Sequence, residues 1–170
     1  RYLFMFTNNI RIRKMAKLGK DYRNTALGLL RRKDGKLLII LNPRNNSLDK
    51  SFVDKNTYKF PQGGIEENED PNKALIREIN EELGIDLKEF KKEMLTNHIS
   101  YWFKNKKLPD FEIRLHAFLV DIGDLDETNL KVDCEEVAEL RWVSPNEVQD
   151  LDLGIRYHAY MSILRRFNLI

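Results

Sequence analysis

Residues 63–85 read GGIEENEDPNKALIREINEELGI. Gly63 is followed after five residues by Glu69, and after seven more by Arg77-Glu78-Ile79-Asn80-Glu81-Glu82-Leu83-Gly84-Ile85. Asp70 and Pro71 are an N-cap acceptor and a first-turn proline, so they predict the start of a helix. Gly84 predicts its end, because glycine tolerates the left-handed turn that closes many helices. Between these caps, Leu75, Ile76, Ile79 and Leu83 recur at helical spacing and form an apolar stripe. Glu78, Glu81 and Glu82 stand at i, i+3 and i+4, so their carboxylates crowd one side of the same helix.

Carboxylates this close repel one another, by a few tenths of a kcal/mol in an exposed helix and by more where burial removes solvent. A hard divalent cation relieves that repulsion, and carboxylate oxygens suit Mg²⁺ or Mn²⁺. Arg77, four residues before Glu81, is spaced to pair with it. A Glu-rich helix face is more often simply solvated. Here the glycine start, Glu69, Arg77 and the helix stop fall in one register with the glutamates, and seven such fixed polar or Gly positions coincide by chance about once in 10⁸ at ordinary residue frequencies. Gly63 and Gly64 follow Phe60-Pro61-Gln62, and two glycines before a helix permit a close backbone approach to a ligand.

Outward from the helix, Thr25 to Arg31 and Lys36 to Leu41 predict two strands joined at Asp34-Gly35, a hairpin signal. A long polar loop, Asn42 to Thr57, follows. Met94 to Phe103 and Phe111 to Val120 predict strands joined by a basic turn through Lys104, Lys106, Lys107 and Pro109. Val137 to Val143 predicts another strand. Ser144-Pro145-Asn146-Glu147 is a capping box before a short helix, and Arg156 to Phe167 predicts an amphipathic last helix. Strands flanked by helices in this order predict α+β or α/β architecture.

The spacing from Gly63 to Ile85 resembles the box that defines Nudix hydrolases, which cleave a diphosphate linked to another moiety. The resemblance implies an α+β Nudix fold, a mixed β-sheet sandwiched between α-helices. It implies metal ligands at the Gly63 carbonyl, Glu78, Glu81, Glu82 and Glu136, with Glu81, Glu82 and Arg77 as the catalytic set and two to three Mg²⁺ or Mn²⁺ ions. Glu136 lies five residues before Arg141, where one branch keeps a further acidic residue; Glu135 is one register step away. That branch holds the RNA pyrophosphohydrolases and the diadenosine polyphosphate hydrolases. It is similar to this chain at Tyr22-Arg23-Asn24, at Phe60-Pro61-Gln62-Gly63-Gly64-Ile65 and at Arg141-Trp142-Val143-Ser144. Arg23, Gln62, Lys104, Tyr101 and Arg156 are the substrate-binding positions expected on this reading. On their own, an Arg at a strand start is usually surface, a lysine turn is usually a solvated tip, and Tyr101 with Phe103 serves a core equally well.

The chain departs from the branch in three places. Asn24 stands where proline often follows Tyr-Arg. Tyr58-Lys59 stands where an aromatic-Gln pair is common. The Asn42–Thr57 loop is longer than in the bacterial RNA enzymes.

The 170 residues, 42% apolar and 33% charged, suit one domain with a sizeable core. Residues 1–20 carry six basic side chains and no acid and read as a basic extension ahead of a Nudix domain over 21–170, with Met15 as the expected start. An organelle leader is the other reading, but the serine enrichment of one is missing. A net charge of +2 announces no bulk attraction to nucleic acid. Cys134 is the lone cysteine, so no disulfide forms within the chain, which fits a reducing cytoplasm; an inert thiol is its expected role. No apolar run spans a bilayer, and no obligate protein partner is implied.

Three functions follow from these residues: hydrolysis of a 5′-triphosphate RNA end to a monophosphate, hydrolysis of diadenosine tetraphosphate, and a catalytically silent Nudix-fold binding module. The third usually accompanies loss of a box carboxylate, and none is lost.

Overall fold

The structure, a computed structural model, describes residues 21–41, 57–105, 108–134 and 137–170. The expected 1–20 extension, most of the Asn42–Thr57 loop, Lys106, Lys107, Glu135 and Glu136 lie outside the described residues.

The described residues form one mixed sheet of eight strands. They are β1 (Tyr22–Arg32), β2 (Leu37–Leu41), β3 (Tyr58–Lys59), β4 (Gln62–Gly64), β5 (Lys92–Met94), β6 (Ile99–Asn105), β7 (Leu108–Gly123) and β8 (Glu139–Val143). The path runs β3-β2-β1-β7-β5, with β4 on β1, β6 on β7 and β8 on β2. β1 and β7 run parallel at the centre, and the other pairs are antiparallel. Two α-helices pack on it: α1 (Pro71–Leu83) and α2 (Tyr157–Arg166).

Residues 26–30 of β1, Leu37–Leu41 of β2 and residues 117–120 of β7 are continuous apolar runs because both sheet faces are covered there. Strand alternation sends Leu27, Leu29, Leu37, Ile39, Ile113 and Leu115 to the α2 side, where they meet Tyr160, Ile163 and Leu164. Ala26, Leu30, Leu38, Ile40, Phe118 and Val120 go to the α1 side, against Leu75, Ile79 and Leu83. A Cβ at Gly28 would lie 3.1 Å from the Leu75 side chain, so this glycine sets how closely α1 settles on β1.

The capped helix forms as the sequence predicts. Asp70 Oδ1 accepts from the backbone N–H of Asn72 (2.9 Å) and of Lys73 (3.3 Å), and Gly84 closes the helix at φ 69°. The Asp34-Gly35 turn joins β1 to β2, with Gly35 at φ 84°. The expected strand Met94 to Phe103 is instead two segments, β5 and β6, both paired with β7. Thr96 and Asn97 bend the chain between them. The predicted strand Phe111 to Val120 is longer, Leu108–Gly123, and serves both segments. Ser144-Pro145-Asn146-Glu147 opens a 3-10 helix, Pro145–Asp150, with Glu147 Oε2 accepting from the Ser144 N–H at 2.6 Å. The last helix begins at Tyr157, after a 3-10 turn over Gly154–Arg156.

Candidate active site

The site forms where β4 passes under α1. In antiparallel register Gly64 faces Thr25 and Gly63 faces Ala26, so successive glycines open to opposite faces of the sheet. A Cβ at Gly63 would fall on the Glu78 carboxylate, and a Cβ at Gly64 would fall on the Arg23 guanidinium. Each missing side chain is therefore space that a charged group from another element fills. Glu78 thus lies against Gly63 on the α1 face of the sheet, and Arg23 lies against Gly64 on the other.

Arg77 is the hub. Its Nε and Nη2 donate to the two oxygens of Glu69 at 2.9 and 2.8 Å, and Nη2 also donates to the Gly64 carbonyl at 2.9 Å. Nη1 donates to Glu78 at 2.6 Å. Glu81, the partner expected from helical spacing, stands farther off at 3.7 Å. So Arg77 orients Glu78 and the loop before α1 more than it orients Glu81. Glu69 also accepts from the Glu66 N–H at 2.8 Å, which fixes that loop. The Arg77 hydrogen bond holds the Glu69 carboxyl below its ordinary range against the opposing effect of burial, and Glu69 in turn raises Arg77 further.

Burial, and then the negative charge of Glu78, push the Glu81 carboxyl above its ordinary value. Its side chain keeps 41% exposure, so it is the carboxylate of the three most open to solvent. Glu82 is buried beneath the last turn of α1, with Lys59 Nζ 3.5 Å from its Oε1. Among the described residues no three His, Cys, Asp or Glu side chains yet converge on one point; Arg77 and Lys59 stand among them.

The expected substrate residues separate. Arg23 lies against Gly64, on the face of β4 opposite Glu78. Gln62 is held from both sides: its Nε2 donates to the Tyr101 hydroxyl at 3.1 Å and its Oε1 accepts from the Tyr160 hydroxyl at 2.6 Å. Tyr101 is buried in the core on the α2 side, its ring edge-on to Phe103, so it braces Gln62 and presents no open face for stacking. Arg156 is also buried. Its Nη1 donates to Thr57 at 3.3 Å and its guanidinium lies 5.4 Å from the Tyr101 ring centre. Helix amphipathicity alone does not tell a buried arginine from one facing ligand. Lys104 lies on β6. Glu136 falls outside the described residues.

Sequence reasoning missed two features. One is Lys59, whose only signal was its departure from the expected Gln. The other is a polar strip where β1, β6 and β7 meet. There the Asn24 carboxamide oxygen lies 3.1 Å from His116 Nε2, and the Arg114 guanidinium lies 3.7 Å over the Tyr22 ring while pairing with Glu112. Burial, then His98 and Arg114, lower His116 below its ordinary value.

Residues 21–162 match the family described as NUDIX domain. The chain belongs to that family. It is a NUDIX hydrolase. An RNA pyrophosphohydrolase of Hamiltonella defensa is 32% identical over 120 residues, covering 63% of this chain and 71% of the relative. Another, of Zymomonas mobilis, is 27% identical over 158 residues, covering 87% and 96%. Among solved structures, the MutT protein of Methanosarcina mazei aligns at TM-score 0.63 and 20% identity, covering 88% of this chain and 96% of that one. A Caenorhabditis elegans Ap4A hydrolase aligns at 0.60 and 17%, covering 86% and 97%. At these identities the structures share the NUDIX fold with this chain.

Proposed function

We propose that this NUDIX hydrolase removes pyrophosphate from 5′-triphosphate RNA ends, leaving a 5′-monophosphate. The observation that carries the chemistry is the Arg77 hub, which fixes Glu78 over Gly63 beside Glu81 and Glu82. The names of the curated relatives support the RNA substrate.

The donor set fits a hard divalent cation: Glu81 is raised in part by the charge of Glu78, a repulsion that Mg²⁺ or Mn²⁺ relieves. The Gly63 carbonyl, Glu78, Glu81 and Glu82 would hold it, with Glu136 as a further ligand and two to three ions in all. Bound there, the metal supplies charge neutralisation on the phosphate oxygens and acidifies water. Glu81 would take the proton of the attacking water, because it is the carboxylate of the three most open to solvent. Arg23 holds the outer phosphates through its fork of N–H donors, with Lys104 as a second cation. Arg77 orients Glu78 and stays off the substrate. Gln62 shapes the floor under β4, held by Tyr101 and Tyr160. Arg156 acts from the core, supporting Tyr101.

No helix among the described residues is long and apolar enough to cross a membrane. A cytoplasmic site of action over residues 21–170 fits this reading, with no obligate protein partner.

The test offers the protein, with Mg²⁺, triphosphorylated RNA and diadenosine tetraphosphate in parallel. Monophosphorylated RNA should form with the higher kcat/KM, and Glu81→Gln and Glu82→Gln should each lower the rate by orders of magnitude. A higher kcat/KM on diadenosine tetraphosphate would move the assignment to dinucleoside polyphosphates. Near-normal rates in both variants would remove the mechanism.

A further inference from the structure

Lys59 is on β3, opposite Ile40 of β2. Cross-strand partners share a face, and Ile40 belongs to the core beneath α1, so the Lys59 side chain enters that same core. Its ammonium ends 3.5 Å from Glu82 Oε1, with the two side chains only 15% and 6% exposed. A glutamate this deep under a helix is costly to hold as an anion without a nearby positive charge. Among the described residues Lys59 supplies such a charge to Glu82, and a divalent cation bound at the site would compete with it.

We propose that Lys59 is a built-in counter-ion to Glu82, and that it sets the metal affinity of the site. In the metal-free protein Lys59 holds Glu82 in its buried position and keeps α1 docked. A cation that takes Glu82 as a ligand brings a second positive charge up against the Lys59 ammonium, so it must push that group aside or bear its repulsion. The site is thereby weakened towards metal, and Lys59 is a positioning residue that acts through Glu82. The inference rests on the metal reading of the carboxylate face and is independent of whether RNA is the substrate.

The test is Mn²⁺ binding to metal-stripped protein without substrate, followed by electron paramagnetic resonance. Lys59→Met fills similar volume without charge, and Lys59→Gln restores polarity if the first variant folds poorly. Either should bind Mn²⁺ about tenfold tighter or more, as expected from removing a neighbouring charge in a shielded site. Lys59→Arg, which keeps the charge, should bind as the wild type does. So should Lys73→Gln, which removes an exposed charge from α1, the helix that carries Glu82. In thermal melts the metal-stripped Lys59→Met protein should unfold below wild type, and saturating Mn²⁺ should narrow that gap, because tighter binding to the folded state stabilises it more. Equal affinity in wild type, Lys59→Met and Lys59→Gln would overturn the proposal alone. An equal gain in Lys73→Gln would also overturn it, reducing the effect to overall charge. No Mn²⁺ binding in any form would overturn it together with the metal reading.

Discussion

At the scale of single residues, Arg77 does more than the helix pattern announces. Spacing along one helix shows only partners three or four residues away, so it offers Glu81 and misses Glu69. The shorter contacts are to Glu69, Glu78 and the Gly64 carbonyl, and two of those three are outside α1. Glu69 was visible in the sequence as a fixed position, but its job was not, because a loop carboxylate has no periodicity to place it. That job carries a pH signature. The Arg77 hydrogen bond lowers the folded-state carboxyl of Glu69 from an ordinary 4.5. A lowered pKa contributes stability that is present above the unfolded value and is lost as pH falls through the folded one. Glu69→Gln should therefore cost about 1.5–3 kcal/mol near neutral pH, the range for a hydrogen bond to a charged group. The gap to wild type should stay level down to about pH 5.5 and shrink below 4.5. Urea unfolding of both proteins across that range measures it; a gap that widens on acidification would refute the assignment.

At the scale of elements, the best-read piece was α1, because its caps act locally. Asp70, Pro71 and Gly84 each state a backbone geometry that holds whatever packs around them. The segment from Met94 to Phe103 was read less well. Its two short strands pair with the same neighbour, β7, and that pairing lies in tertiary register rather than in local sequence. Tyr101 shows the same limit: period-2 alternation gives two faces without saying which one is solvent, and β6 turns Tyr101 toward α2. Gly84 ties α1 to the segment after Leu130. Lys131 N–H donates to the Leu83 carbonyl at 2.8 Å and Asp133 N–H to the Glu82 carbonyl at 3.1 Å. A Cβ at Gly84 would enter at φ 69° and meet Lys131 Cβ at 2.6 Å. Gly84→Ala should thus lose at least about 1–2 kcal/mol from the left-handed backbone alone, and the clash adds to that. Because the same contacts seat Glu82, the variant should also bind Mn²⁺ more weakly. Unchanged stability in urea titration would show that the helix end tolerates a shift of Lys131.

At the scale of the whole molecule, one sheet separates two cores that share no side-chain cluster. Ile79 of α1 packs with Leu30, Leu38 and Val120, whereas Ile163 of α2 packs with Leu29, Ile39 and Leu115. Short unbroken apolar runs, residues 26–30, 37–41 and 117–120, accompany this division, and a sheet with one wet face would not need them. The parallel pairing of β1 with β7 joins segments some ninety residues apart, as in Tyr22 opposite Glu112, and no local pattern forecasts such a partner. Because β1, β2 and β7 supply residues to both cores, the two layers are expected to unfold as one cooperative unit. Trimming one methylene from each layer tests both properties together. Ile79→Val and Ile163→Val should each cost about 0.5–1.5 kcal/mol. With the sheet between them and no shared contacts, the double variant should lose the sum within about 0.5 kcal/mol. Fluorescence and circular dichroism should report coincident urea transitions for all four proteins. Separate transitions would show that α1 or α2 unfolds from the sheet by itself, and a coupling well above 0.5 kcal/mol would mean that the central strands transmit packing strain from one face to the other.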